Sequence, residues 1–235
     1  VRSGFHYPGW WVSGSAMIVG PLLLLAAALL RAPFPMFFTH QLAAVQSHPR
    51  VMTAAYIAFA AGTVALWPAI THLAADIGRI SPTLAVWGGS LVTLGLFTRT
   101  FHAGVDQTAF GLVRHHDAEF ATGIVAESYA DLHLFQFLAF SIPLGWLVLA
   151  FGAYRCAVLG RVRAVGLALM CALPLGVLKG TEILSVVALS GLCVALVPTG
   201  FELLRQAPRP TPRTIALTIA ALAGCIALAV VGAFG

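Results

Sequence analysis

Proton chemistry in this chain has few groups to draw on, and most of them fall between Phe101 and His133. That stretch holds Asp106, Asp117, Glu119, Glu127 and Asp131, from a total of 8 acidic residues, and His102, His115, His116 and His133, from a total of 8 histidines. His102 and Asp106 have i,i+4 spacing, so one helical face carries both. A carboxylate beside an imidazole orients it and raises its basicity, which suits acid–base work or metal ligation. The competing reading is a boundary helix that turns its polar face to water. Glu127 and Asp131 repeat the spacing. Two like charges on one buried face repel, and a carboxyl kept protonated at neutral pH is a general acid. Facing water, the same pair does nothing unusual. The specific expectation is a short helix that turns Glu127 and Asp131 into a cavity lined by Phe135 or Phe137, with His102 and Asp106 nearby.

Other polar groups leave alternatives open. His115-His116-Asp117-x-Glu119 is dense in ligand types, but it is not HExxH and adjacent helical residues point apart. A solvated helix junction explains it better than a metal site, which would need a bend or a partner such as His102, His133 or His40. A haem would need axial histidines on facing spans. His40, His48, His102 and His133 fall on one side of the expected bilayer and His72 on the other. None lies deep in a span, and there is no CxxCH. Lys179 and Glu182 mark a turn whose charges would favour a polar pocket if embedded. Gly180-Thr181 favours a surface turn, on the side of the acidic stretch and able to close over it. The aromatics Phe101, Phe110, Phe120, Tyr129, Phe135, Phe137, Phe140 and Trp146 could stabilise a cation or form an interfacial belt.

The elements that must position these groups are set by composition. The chain has 235 residues, 60% hydrophobic and 9% charged. Soluble domains carry roughly 25% charged residues, so most of this surface must face lipid. The +5 formal charge is spread over 13 Lys and Arg along the chain, without the single basic patch of a nucleic-acid binder. Cys156, Cys171, Cys193 and Cys225 form no CxxC pair and read as structural membrane cysteines. The first apolar run, from Trp11 to Leu30, has no cleavage pattern behind it and reads as a retained span.

A span needs about 20 mainly apolar residues. Seven segments come near that: Trp11–Leu30, Val51–His72, Pro82–Phe101, Leu134–Tyr154, two halves of Val162–Pro198 divided at Lys179–Glu182, and Thr214–Ala233. The expectation is an all-α, polytopic membrane helical bundle over residues 1–235, a single domain with residues 102–133 as a polar helical connector broken near His116 to Ala118. For Val162–Pro198 the rival is one broken helix. The distribution of Arg and Lys favours a cytoplasmic N-terminus and an external C-terminus, in the plasma membrane.

Small size, seven expected spans and candidate carboxyl acids resemble the small integral-membrane terpene cyclases of meroterpenoid pathways. That resemblance covers the span layout and no motif. It implies acid-initiated cyclisation of a lipophilic, isoprenoid substrate without a cofactor, and Glu127, Asp131, Asp106 and His102 are this chain's own candidates for the work. Two other classes stand beside it: a haem- or metal-binding membrane oxidoreductase, and a non-catalytic transporter or lipid-binding subunit. Expected partners are a lipophilic small molecule and membrane lipids, with no nucleic acid.

Overall fold

A computed structural model describes residues 7–130 and 133–233. Their regular structure is helical throughout: α1 (Trp10–Arg31), α2 (Phe38–Ser47), α3 (Pro49–Gly78), α4 (Pro82–His115), α5 (Ala118–Ala130), α6 (Leu134–Leu138), α7 (Ser141–Arg155), α8 (Arg161–Ala168), a 3-10 turn at Leu169–Ala172, α9 (Ile183–Gln206) and α10 (Pro212–Ala233). The chain forms two compact units, residues 1–205 and 206–235; α10 makes up most of the second.

Local sequence explains the boundaries. Pro49 and Pro82 open α3 and α4, at the position where a missing N–H costs nothing. Arg31, Arg155 and Arg205 sit in the last turns of α1, α7 and α9, where the helix dipole favours positive charge. The polar connector breaks at His116 and Asp117. There the Asp117 carboxylate accepts the Phe120 N–H at 2.7 Å, in the manner of an N-cap.

The all-α class stands, but the seven-span count does not. Among the described residues, four helical segments are long and apolar enough to cross a membrane: Trp10–Arg31, Pro49–Gly78, Leu134–Arg155 and Ile183–Gln206. Hydrophobic helices of this kind fit a membrane-associated protein. The third expected span is the first half of α4, a helix of 34 residues that buries Arg99, His102 and Asp106. The fifth is absent. Residues 161–168 form an 8-residue helix, about 12 Å long against a hydrocarbon core of about 30 Å. After the 3-10 turn, Leu173 to Glu182 has no helix. Of the helices that begin in Val162–Pro198, only α9 is long and apolar enough to cross. In the seventh segment the apolar helix found among the described residues, Ile215–Cys225, is too short to join those four.

Within the first unit, α3 packs against α1 and α4, and α4 packs against α7. Small residues permit the close approach, as in membrane bundles generally. A Cβ on Gly145 of α7 would lie 2.6 Å from the Val92 nitrogen of α4, and one on Gly62 of α3 would lie 3.0 Å from the Gly20 oxygen of α1. Two apolar clusters result. One joins Met17, Leu24, Ile70, Trp146, Leu149 and Leu192. The other joins Leu42, Met52, Tyr56, Phe110, Val125 and Leu178. The segment Leu173–Glu182 links them, since Leu173 belongs to the first and Val177 and Leu178 to the second. The four cysteines are free thiols.

Candidate functional site

Where α1 ends and α9 begins, the bundle encloses a cavity of about 40 Å³. Arg31, the last residue of α1, enters from one side. Arg99, His102 and Asp106 enter from α4 on one helical face, as their i,i+3 and i,i+7 spacing requires. Lys179 and Thr181 come from the 173–182 segment, and Ser185 from the first turn of α9. Ala28, Phe59 and Leu189 supply apolar wall.

Backbone carbonyls hold both guanidinium groups. Arg31 donates from Nη1 to the Lys179 oxygen at 2.9 Å and from Nε to the Ala27 oxygen at 3.2 Å. It also lies over the Tyr56 and Phe59 rings, 4.8 and 4.9 Å from their centroids. Arg99 donates from Nη1 to the Pro174 oxygen at 3.2 Å and from Nη2 to the Leu173 oxygen at 3.5 Å. Its Nε is buried and has no hydrogen-bond partner among the described residues, and the same holds for the Thr181 hydroxyl.

The 173–182 segment takes its shape from three positions. Gly176 has φ +99° and Leu178 has φ 49°, a left-handed conformation that L-residues adopt at a cost. The Leu178 N–H donates to Asp106 Oδ1 at 2.6 Å, and Leu178 is fully buried. Gly180 lies against residues 35–41. Its N–H donates to the Met36 oxygen at 3.0 Å, and a Cβ there would stand 2.7 Å from Met36 Cα. Gln41 completes this wall, donating to the Pro35 oxygen at 2.6 Å and accepting from the Tyr56 hydroxyl at 3.0 Å.

Electrostatically the cavity is lopsided. Arg31, Arg99 and Lys179 bring three cationic groups, and Asp106 is the single carboxyl in the lining. Arg31 and Arg99 are 5% and 7% exposed. Burying charge without a counter-charge is expensive, and the carbonyl dipoles offset part of that cost. Asp106 and His102 lie past the apolar stretch Pro82–Phe101 of α4. Burial pushes the Asp106 carboxyl up to about 7, against the opposing effects of the Leu178 N–H and of Arg31. Burial, then the neighbouring Arg99 and His133, pushes His102 down to about 4. Buried donors converge here where cationic residues are in excess, an arrangement whose chemistry suits an anion.

Of the residues singled out in the sequence, His102 and Asp106 both line the cavity, and Lys179 joins them. Glu127 is exposed on α5, outside the lining. Asp131 lies outside the described residues. Phe135 stacks on Phe101, centroids 4.2 Å apart and rings at 10°, while Phe137 is exposed and Trp146 belongs to the main core. His40, His48, His115 and His116 are exposed. His72 lies 3.5 Å from Asp76 in α3. Among the described residues no three His, Cys, Asp or Glu side chains are grouped as metal ligands. Sequence reasoning did not find Arg31 and Arg99, which it counted as boundary charges. The available signal was Arg99 itself, a cation at the end of a mainly apolar run, between Phe97-Thr98 and Thr100-Phe101.

No family model, curated protein or solved structure matches this chain. The resemblance to seven-span terpene cyclases therefore falls, because it rested on a span count that the four qualifying helices overturn and no sequence match replaces it.

Proposed function

We propose that this protein is a membrane binding protein that takes the anionic head of a lipophilic molecule into the cavity between Arg31, Arg99 and Lys179. The observation that carries this reading is the charge imbalance: three cationic groups face one carboxyl in a cavity whose Arg99 Nε and Thr181 hydroxyl have no partner among the described residues. A bound anion would supply the missing counter-charge and acceptors. The start of α9, a 24-residue helix with Thr181 and Ser185 beside the cavity, adds the positive end of its dipole. The lipophilic part of the ligand follows from the setting, since the surrounding helices are long and apolar enough for a bilayer. Acid-initiated cyclisation has less support. A cavity of about 40 Å³ admits a head group and not a folded isoprenoid, since ligand pockets that enclose such molecules run to roughly 300–1,000 Å³.

The test is a binding panel on purified protein in neutral detergent, using four dodecyl compounds with carboxylate, phosphate, hydroxyl and trimethylammonium heads. The two anions should bind and the other two should not. Arg99→Gln should weaken anion binding by about tenfold or more, as expected for loss of a charge-assisted hydrogen bond worth about 1.5–3 kcal/mol. Equal binding of all four heads, or anion binding untouched by a folded Arg99→Gln variant, would refute the reading.

A further inference from the structure

An apolar groove shares two lining residues with the cavity, and the two together specify the ligand further. The groove has a volume of about 440 Å³ and is lined by Phe38 of α2, Val125 and Ala126 of α5, and Leu175, Gly176, Val177 and Lys179. Gly176 and Lys179 line both the groove and the cavity. Molecules that occupy both must therefore put their charge against Lys179 on one side and apolar atoms past Gly176 on the other. A second groove also borders the cavity through Thr181, but it is lined by Glu182, whose carboxylate repels an anion.

Resting on the anion-binding reading above, we propose that the ligand is a phosphate monoester carried on a single apolar chain, with the phosphate in the cavity and the chain in the Phe38–Val125–Val177 groove. The charge balance selects the head. Three cationic residues and one carboxyl leave an excess of two positive charges with Asp106 ionised and three with it protonated, and a dianionic phosphate monoester offsets more of either than a monoanionic carboxylate or phosphodiester. Fork-shaped guanidinium groups also suit phosphate oxygens. The position of Lys179 selects the groove. The residue lines both spaces, and its Cε lies 3.5 Å from where a Cβ on Gly176, the other shared residue, would stand.

The probes are inorganic phosphate, dodecyl phosphate, the methyl ester of dodecyl phosphate, and dodecanoate, titrated into detergent-purified protein. Dodecyl phosphate should bind at least tenfold tighter than the methyl ester or dodecanoate. Ala126→Trp, made at an exposed position to fill the groove, should weaken dodecyl phosphate at least tenfold and leave inorganic phosphate unchanged. Leu175→Asn, which makes the groove polar without adding charge, should act the same way. Leu184→Trp, in the groove beside Glu182, should leave dodecyl phosphate binding unchanged. Equal affinity for the monoester and its methyl ester would overturn the choice of head. Folded Ala126→Trp and Leu175→Asn variants that bind dodecyl phosphate like the wild type would overturn the choice of groove, as would weakened binding in Leu184→Trp. Each of those outcomes leaves the anion site standing. Loss of binding for every probe would instead remove the site itself.

Discussion

Replacing Asp106 by Ala removes the acceptor for a buried backbone donor. The Leu178 N–H reaches Asp106 Oδ1 at 2.6 Å in a fully buried position. A buried donor left unsatisfied costs about 1–3 kcal/mol. The same bond holds Leu178 at φ 49°, a conformation that itself costs roughly 1–2 kcal/mol. When the bond goes, part of that strain can relax, but only as Leu178 leaves its packing among Leu42, Phe110 and Val125. The net expectation is about 2 kcal/mol of lost stability. Asp106→Asn keeps an oxygen acceptor of the same reach and should lose less than about 1 kcal/mol. The comparison belongs at pH 6, where the wild-type carboxyl is mainly protonated, so charge does not confuse it. Equilibrium unfolding gives the two energies, and hydrogen exchange over residues 173–182 shows whether the segment has come loose. Equal stability of the Ala and Asn variants, with unchanged exchange, would refute the idea that Asp106 anchors this segment.

Other consequences can be checked with the same protein. Asp106 has a folded pKa raised to about 7 from 3.8, so the folded state binds more protons and its stability falls as pH rises between those values. His102 is lowered to about 4 from 6.5, so its contribution rises with pH over that interval; Asp106→Asn should unmask this rise in unfolding midpoints measured from pH 4 to 7. Gly180→Ala would press a methyl group to 2.7 Å from Met36 Cα and should cost about 1–3 kcal/mol in thermal unfolding. Glu127→Gln changes an exposed side chain on α5, so both stability, to within about 0.5 kcal/mol, and dodecyl phosphate affinity should stay at wild-type values.

The helical class and the join at His116–Asp117 could be read from apolar run lengths and turn chemistry. So could the common face of His102 and Asp106, because i,i+4 spacing follows from helix geometry alone. The span count could not. Leu167, Met170, Leu173 and Leu178 are apolar because protein buries them, and hydropathy does not distinguish that from burial in lipid. The cationic half of the site was hidden for a related reason. Arg31 stands at the end of an apolar run whether it reaches outward to a head group or inward to the Lys179 carbonyl, and only the tertiary path of residues 173–182 decides between them. Glu127 shows the converse. Its i,i+4 spacing to Asp131 is a property of the sequence, and such spacing says nothing about which side is covered.

The carbonyl clamps on the two guanidiniums also set an order of assembly. Arg31 meets Tyr56 and Phe59 in α3, which leaves the ribosome soon after it, but the Lys179 oxygen arrives 148 residues later. Arg99 waits 74 and 75 residues for the Leu173 and Pro174 oxygens. Chains emerge N-terminus first, so a nascent chain that has completed α7 already carries both arginines without those acceptors. The segment 173–182 then acts as a closing piece: its carbonyls supply the acceptors that the two guanidiniums lack and complete the cavity wall. A chain halted before Leu173 keeps the cost and lacks the cavity wall.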